Sequence, residues 1–212
     1  MALTFKVSGG GDFKTVPSGS HIAVCNLVAD LGMQPGSQAY PDPKRKIYVR
    51  FEVAAERIQY ERDGKKYEGP QTIGSFFTAS MHEKATLRQR LEGWRGRRFT
   101  DDEAGNFDVS TILGKPCMLS VVESIVGDKV YANIASISPL PKGVEAPPAE
   151  NPLHCFTADD TSCFASLPEW IQEKINAQIK PKASAPTGVY ANENTKAYDF
   201  SDQGITDEDI PF

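Results

Sequence analysis

The stretch KIYVRFEVAAERIQY, residues 46–60, decides how the rest of the chain is read. Ile47, Val49, Phe51 and Val53 alternate with Tyr48, Arg50, Glu52 and Ala54. A period of two predicts a strand with one apolar face, here facing away from Tyr48 and Arg50. Asp63-Gly64 follows as a hairpin signal, and residues 66–79 read as the returning strand with Ile73, Phe76 and Phe77. Upstream, Ile22, Val24, Leu27, Val28 and Leu31 predict a first strand. Its alternation slips near Cys25 and Asn26, which predicts a bend or bulge.

Downstream, Ser80-Met81-His82-Glu83 has the form of a capping box opening a helix. That helix would place Met81, Ala85, Leu87, Leu91 and Trp94 on one side and leave Arg88 and Arg90 available, stopping at Gly93 or Gly96. Thr100-Asp101-Asp102-Glu103 is a second capping box, and residues 108–113 suggest one more short turn. Residues 115–126 and 129–138 are β-rich runs around Gly127-Asp128. Pro139, Pro141 and Pro147-Pro148 are expected to end the sheet. Residues 167–179 then read as a helix with Pro168 in its first turn and Trp170, Ile171, Ile175 and Ile179 at helical spacing. Three strands, a helix and two strands is the order of the five-stranded OB-fold barrel, a mainly β fold that commonly binds oligonucleotides. The expected organisation is a flexible segment over 1–20, the OB core over 21–142, an extension with a helix over 143–180, and a disordered tail over 181–212.

The chain has 212 residues, 24% charged and 40% hydrophobic, enough for one cored domain. No apolar run reaches the roughly 20 residues a membrane helix needs, and no signal-peptide pattern opens the chain. Four cysteines make no disulfide framework, so a cytoplasmic protein without membrane contact is expected. The net charge of -5 is unevenly spread. Residues 1–142 carry 19 Lys and Arg against 16 Asp and Glu, while residues 143–212 carry 4 against 12. A basic body joined to an acidic end suggests a polyanionic partner.

Two groups of residues fit that partner. Lys44, Arg45, Lys46, Tyr48, Arg50, Arg62, Lys65, Lys66 and Tyr67 interleave cations and aromatics on the second and third strands. Cations along the phosphates and aromatic faces for the bases are what single-strand binding requires. Phe51, Phe76 and Phe77 read as core; Tyr48, Tyr60 and Tyr67 read equally as stacking or packing residues. Trp94, Arg95, Arg97 and Arg98 form the densest cationic patch, suited to clamping phosphates. The competing reading has Trp94 packed on the helix face and Arg97 paired with Glu103 or Asp108.

The last six residues are Asp207, Glu208, Asp209, Ile210, Pro211 and Phe212. Three acids would steer such a segment to a basic pocket, Pro211 would lower its ordering cost, and Phe212 would supply apolar area beside its carboxylate. This segment resembles the acidic C-terminal tip of bacterial single-stranded DNA-binding proteins, with Glu208 where Asp is usual. The resemblance implies docking onto replication, repair and recombination proteins, of host or phage.

A second resemblance runs through Ser80, Glu83-Lys84, Leu87-Arg88, Leu91, Trp94-Arg95-Gly96-Arg97, Phe99-Thr100, Glu103 and Phe107-Asp108. It continues in Leu113-Gly114-Lys115-Pro116-Cys117, Tyr131-Ala132-Asn133-Ile134 and Leu167-Pro168-Glu169-Trp170-Ile171. These are similar to a phage-encoded single-stranded DNA-binding family, which implies an OB-type core and a role in phage replication or recombination. The chain departs from the bacterial proteins by its extra helix and its lack of a long Gly/Gln-rich linker, so a homo-oligomer is left open.

No enzyme is expected. The chain has no GxxxxGK[ST] phosphate loop, and His154, Cys155 and Cys163 match no metal-ligand spacing, so neither cofactor nor metal is expected. Asp101-Asp102-Glu103 suits a helix N-terminus better than a nuclease centre. The alternatives are a decoy that displays the tip to occupy host proteins and, further off, a metal-dependent nuclease. An RNA preference also stays open.

Overall fold

The computed structural model describes residues 15–179 except positions 37, 39, 63 and 128, with no side chains given for 61 and 62. Six strands follow in chain order: β1 (Gly19–Gln34), β2 (Lys44–Arg62), β3 (Lys65–Thr78), β4 (Pro116–Val126), β5 (Lys129–Ser138) and β6 (His154–Phe156). Helices α1 (Thr86–Arg95) and α2 (Asp101–Gly105) lie between β3 and β4, and α3 (Glu169–Asn176) closes the described chain. The protein is mainly β: five antiparallel strands in the order β3-β2-β1-β4-β5 curl strongly into a half-barrel.

The curl starts in β1. Its first half pairs with β4, from Gly19 opposite Val121 to Val24 opposite Pro116. Its second half pairs with β2, from Val24 opposite Glu52 to Gln34 opposite Lys44. The expected irregularity falls between Cys25 and Leu27, with another between Asp30 and Gly32. An extra residue bends a strand and shifts its alternation. Cys25 and Val28 therefore point into the barrel, while Leu27, Ala29 and Leu31 point outward.

The barrel core takes Ile47, Val49, Phe51 and Val53 from β2, Leu119 and Val121 from β4, and Leu87, Leu91 and Trp94 from α1. Val16 joins it, and His21 Nε2 hydrogen-bonds Pro17 O at 2.8 Å, so packed structure begins before residue 20. Each large apolar side chain buried here stabilises the fold by about 1.5–3 kcal/mol.

A second core lies on the outer face of the sheet. Leu27, Ala29, Leu31 and Tyr48 pack there against Phe156, Leu167, Ile171 and Ile175. The sheet does not end at the prolines after β5: β6 pairs in parallel with β1, Leu27 opposite His154 through Ala29 opposite Phe156. The reason is the apolar outward face of β1, which needs a cover. The rest of residues 143–165 is largely irregular, as expected.

Several element boundaries differ from expectation. The Ser80 segment does not cap a helix: His82 N donates to Ser80 Oγ within a local turn, and α1 begins at Thr86 with no side-chain cap. The Thr100 capping box does form, with Glu103 N donating to Thr100 Oγ1 and Thr100 N donating to Glu103 Oε2. Arg88 and Arg90 are not available. Arg88 donates to Glu92, Met81 O and Phe99 O, and Arg90 donates to Ala135 O. Helix α3 is shorter than its pattern, with Pro168 at the cap position and Ile179 exposed beyond its end. No helix among the described residues is long and apolar enough to cross a membrane.

Candidate nucleic-acid interface

The outer face of β2 carries Tyr48, Arg50 and Glu52, and residues 143–179 cover most of it. Tyr48 is buried, with its ring edge-on to Trp170 at 4.9 Å and 5.0 Å from Phe76. Its ring lies across Gly74 of β3, where any Cβ would collide with it. Burial pushes the Tyr48 hydroxyl pKa upward. Tyr48 therefore serves as a support. The aromatic it presents is Trp170, 41% exposed and also 5.9 Å from Phe76.

Cations flank this cluster. Lys174 Nζ lies 5.4 Å from the Phe76 ring centroid. Lys46, on the same face as Tyr48, donates to Thr78 Oγ1 at 2.9 Å. A tryptophan face held by two edge-on aromatics beside ammonium groups is preorganised for a flat, anion-bearing ligand.

Further along β2 the face is occupied. Arg50 donates to Asn26 Oδ1 at 3.0 Å, and burial lowers its pKa. Glu52, 2% exposed, accepts from Glu150 N at 2.7 Å, Asn151 N at 2.9 Å and Asn151 Nδ2 at 2.7 Å. Arg57 bridges Glu68 and Glu150. This half of the face holds the extension in place, and Arg50 belongs to it.

The β2–β3 hairpin stays open. Tyr60 and Tyr67 sit directly opposite each other and stack at 5.7 Å with rings 19° apart, both around half exposed. Lys65 and Lys66 are exposed beside them, while the Arg62 side chain lies outside the described residues. Alternation along β3 puts Tyr67 and Phe76 on opposite faces, so the hairpin and the Trp170 cluster form two patches. At the other end of β2, Lys44 lies 5.7 Å from the Tyr40 ring, and exposed Arg45 pairs with Asp30.

The α1 patch takes the competing form, with Trp94 packed and Arg97 paired with Glu103. Trp94 is 7% exposed, packs 5.5 Å from Phe51 and donates from Nε1 to Pro116 O at 2.8 Å. It cannot offer a face to a base across the sheet. Arg95 donates to Glu103 at 3.1 Å and lies 4.1 Å over the Phe99 ring; Arg97 donates to the same carboxylate at 2.7 Å. Arg97, the Thr100 N–H and Arg95 together hold Glu103 down to a pKa of about 2. Arg98 is exposed. The six residues Asp207, Glu208, Asp209, Ile210, Pro211 and Phe212 lie outside the described residues.

Sequence reasoning did not bring Trp170 and Lys174 to this face, and it read Phe76 as core. A signal was present: Leu27, Val28, Ala29 and Leu31 make β1 apolar on both faces, and such a strand is covered on both. No protein-family model, curated protein or solved structure matches the chain.

Proposed function

We propose that this chain is a sequence-nonspecific single-stranded DNA-binding protein of phage replication or recombination, on an OB-type barrel. The half-barrel curl and the placement of α1 between β3 and β4 support that fold. The observation that carries the function is Trp170: 41% exposed and braced by Tyr48 and Phe76, with Lys174 over Phe76 and Lys46 on the same face of β2 as Tyr48. Bases stack on Trp170, and the lysines neutralise the phosphates on either side. The Tyr60–Tyr67 pair with Lys65 and Lys66 is a second contact for the same strand. Stacking and phosphate contacts carry no base-edge readout, so binding tolerates any sequence. Residues 207–212 then recruit enzymes of DNA metabolism.

The test is fluorescence anisotropy with a labelled poly-dT strand of ~30 nucleotides beside a duplex of equal length, over a salt series. Tight single-strand binding with weak duplex binding is expected; no preference would overturn the reading. The decoy alternative draws support from one feature: Arg50, Arg95 and Arg97 are engaged within the fold, which leaves fewer cations for DNA. In that case the chain binds no strand at low salt but is still captured through residues 207–212.

A further inference from the structure

Behind α1 the structure contains a pocket of about 310 Å³, apart from the Trp170 cluster and the hairpin. Its apolar wall includes Trp94, Phe99 and Phe107, the two phenylalanine rings edge-to-face at 4.9 Å. Its polar wall is Arg95, Thr111 and Lys115. Lys115 is exposed and makes no ion pair among the described residues. Arg95 is held by Glu103, which it shares with Arg97, so Lys115 is the cation of this wall that the fold leaves to a ligand. The Thr111 hydroxyl donates to Asp108 O at 2.7 Å, which leaves its oxygen to accept a hydrogen bond.

The volume stands at the lower end of ligand pockets, about 300–1,000 Å³. Aromatic walls, one hydroxyl acceptor and a cationic rim suit a flat heteroaromatic ring that carries N–H donors and one anionic group. We propose that this pocket takes a single nucleotide, its base against Phe99 and Phe107 and its phosphate at Lys115. The nucleotide is either free or one unit of a bound strand; the second case rests on the single-strand reading above.

The chain contains two tryptophans, one in each place. Fluorine NMR of the full chain labelled with 5-fluorotryptophan therefore reads both sites separately, with Trp170→Phe assigning the resonances. Titration with dTMP should shift the Trp94 resonance saturably and leave Trp170 in place. Lys115→Ala or Phe107→Leu should raise the half-saturation concentration about tenfold. A poly-dT strand that loads the pocket should shift Trp94 as well as Trp170. An equal Trp94 response to inorganic phosphate would overturn the nucleotide assignment. A strand that shifts Trp170 while neither strand nor dTMP moves Trp94 would overturn the pocket and leave the single-strand reading intact. A Trp94 response to dTMP without any strand binding would keep the pocket as a free-nucleotide site and remove the single-strand reading.

Discussion

Helices α1 and α3 each carry a tryptophan with a basic residue after it, and the fold uses them in opposite ways. In α1, Trp94 is buried behind the sheet and hydrogen-bonded to Pro116 O, while Glu103 binds both Arg95 and Arg97. In α3, Trp170 rests on the outside of the sheet, and Lys174 lies over Phe76. Cationic density in the sequence pointed to α1. Exposure and support by neighbouring rings point to α3. Charge counted along a chain says little until the carboxylates folded beside it are counted too.

The sharpest way to break this comparison is to truncate each tryptophan. Trp94→Ala should cost about 3–5 kcal/mol of stability, read from urea unfolding, because it opens a core cavity beside Phe51 and strands the Pro116 carbonyl. Trp170→Ala should cost less, about 1–2 kcal/mol, because it loses two edge-on ring contacts but opens no enclosed cavity. A small effect at Trp94 would mean that α1 does not close the core.

Next in size is the attachment of α3 itself. Glu52→Ala removes a buried acceptor of three hydrogen bonds from Glu150 and Asn151. The expected loss is about 3 kcal/mol, with faster proteolysis within residues 143–165. Unchanged proteolysis would show that β6 and the α3 contacts hold the extension without this clamp.

The third comparison is on DNA. Trp170→Ala should weaken binding of a poly-dT strand by about 1–3 kcal/mol, the worth of one stacked base.

A pH series sharpens the account of α1. Glu103 has a folded pKa of about 2 against an ordinary 4.5, so its carboxylate contributes stability above the ordinary value. That contribution is lost as pH falls through the range toward 2. Glu103→Gln should therefore be less stable than the parent at pH 7, with the gap closing below about pH 4.5. A gap independent of pH would mean that the capping geometry, with no charge effect, stabilises α2. The smallest effect is at the hairpin: Lys65→Ala with Lys66→Ala should reduce the log-log salt slope for single strands by about 0.7 per lysine.

The sheet was legible where apolar residues on the core face alternate with polar ones on the other. The period of two in β2 and the Gly127 turn between β4 and β5 set those strands to within a residue or two. The Thr100 box was legible because its two hydrogen bonds are local. The Ser80 box failed for the same local reason: the Ser80 hydroxyl is taken by His82 N, two residues on. The cover over the sheet was hidden, since Glu52 meets Asn151 only through the fold. A polar Tyr48-Arg50-Glu52 face reads as solvent-facing until the segment that neutralises it is placed. Tyr48 was legible as a residue of the outer face of β2, but the exposed ring against it belongs to a helix more than a hundred residues further on.

The most direct measurement compares the parent with Trp170→Ala and Arg97→Ala by anisotropy on a ~30-nucleotide poly-dT strand at fixed salt. The account predicts that Trp170→Ala weakens binding roughly 5- to 150-fold while Arg97→Ala stays near the parent. Parent-like binding by Trp170→Ala, with the loss appearing in Arg97→Ala, would contradict it and return the site to α1.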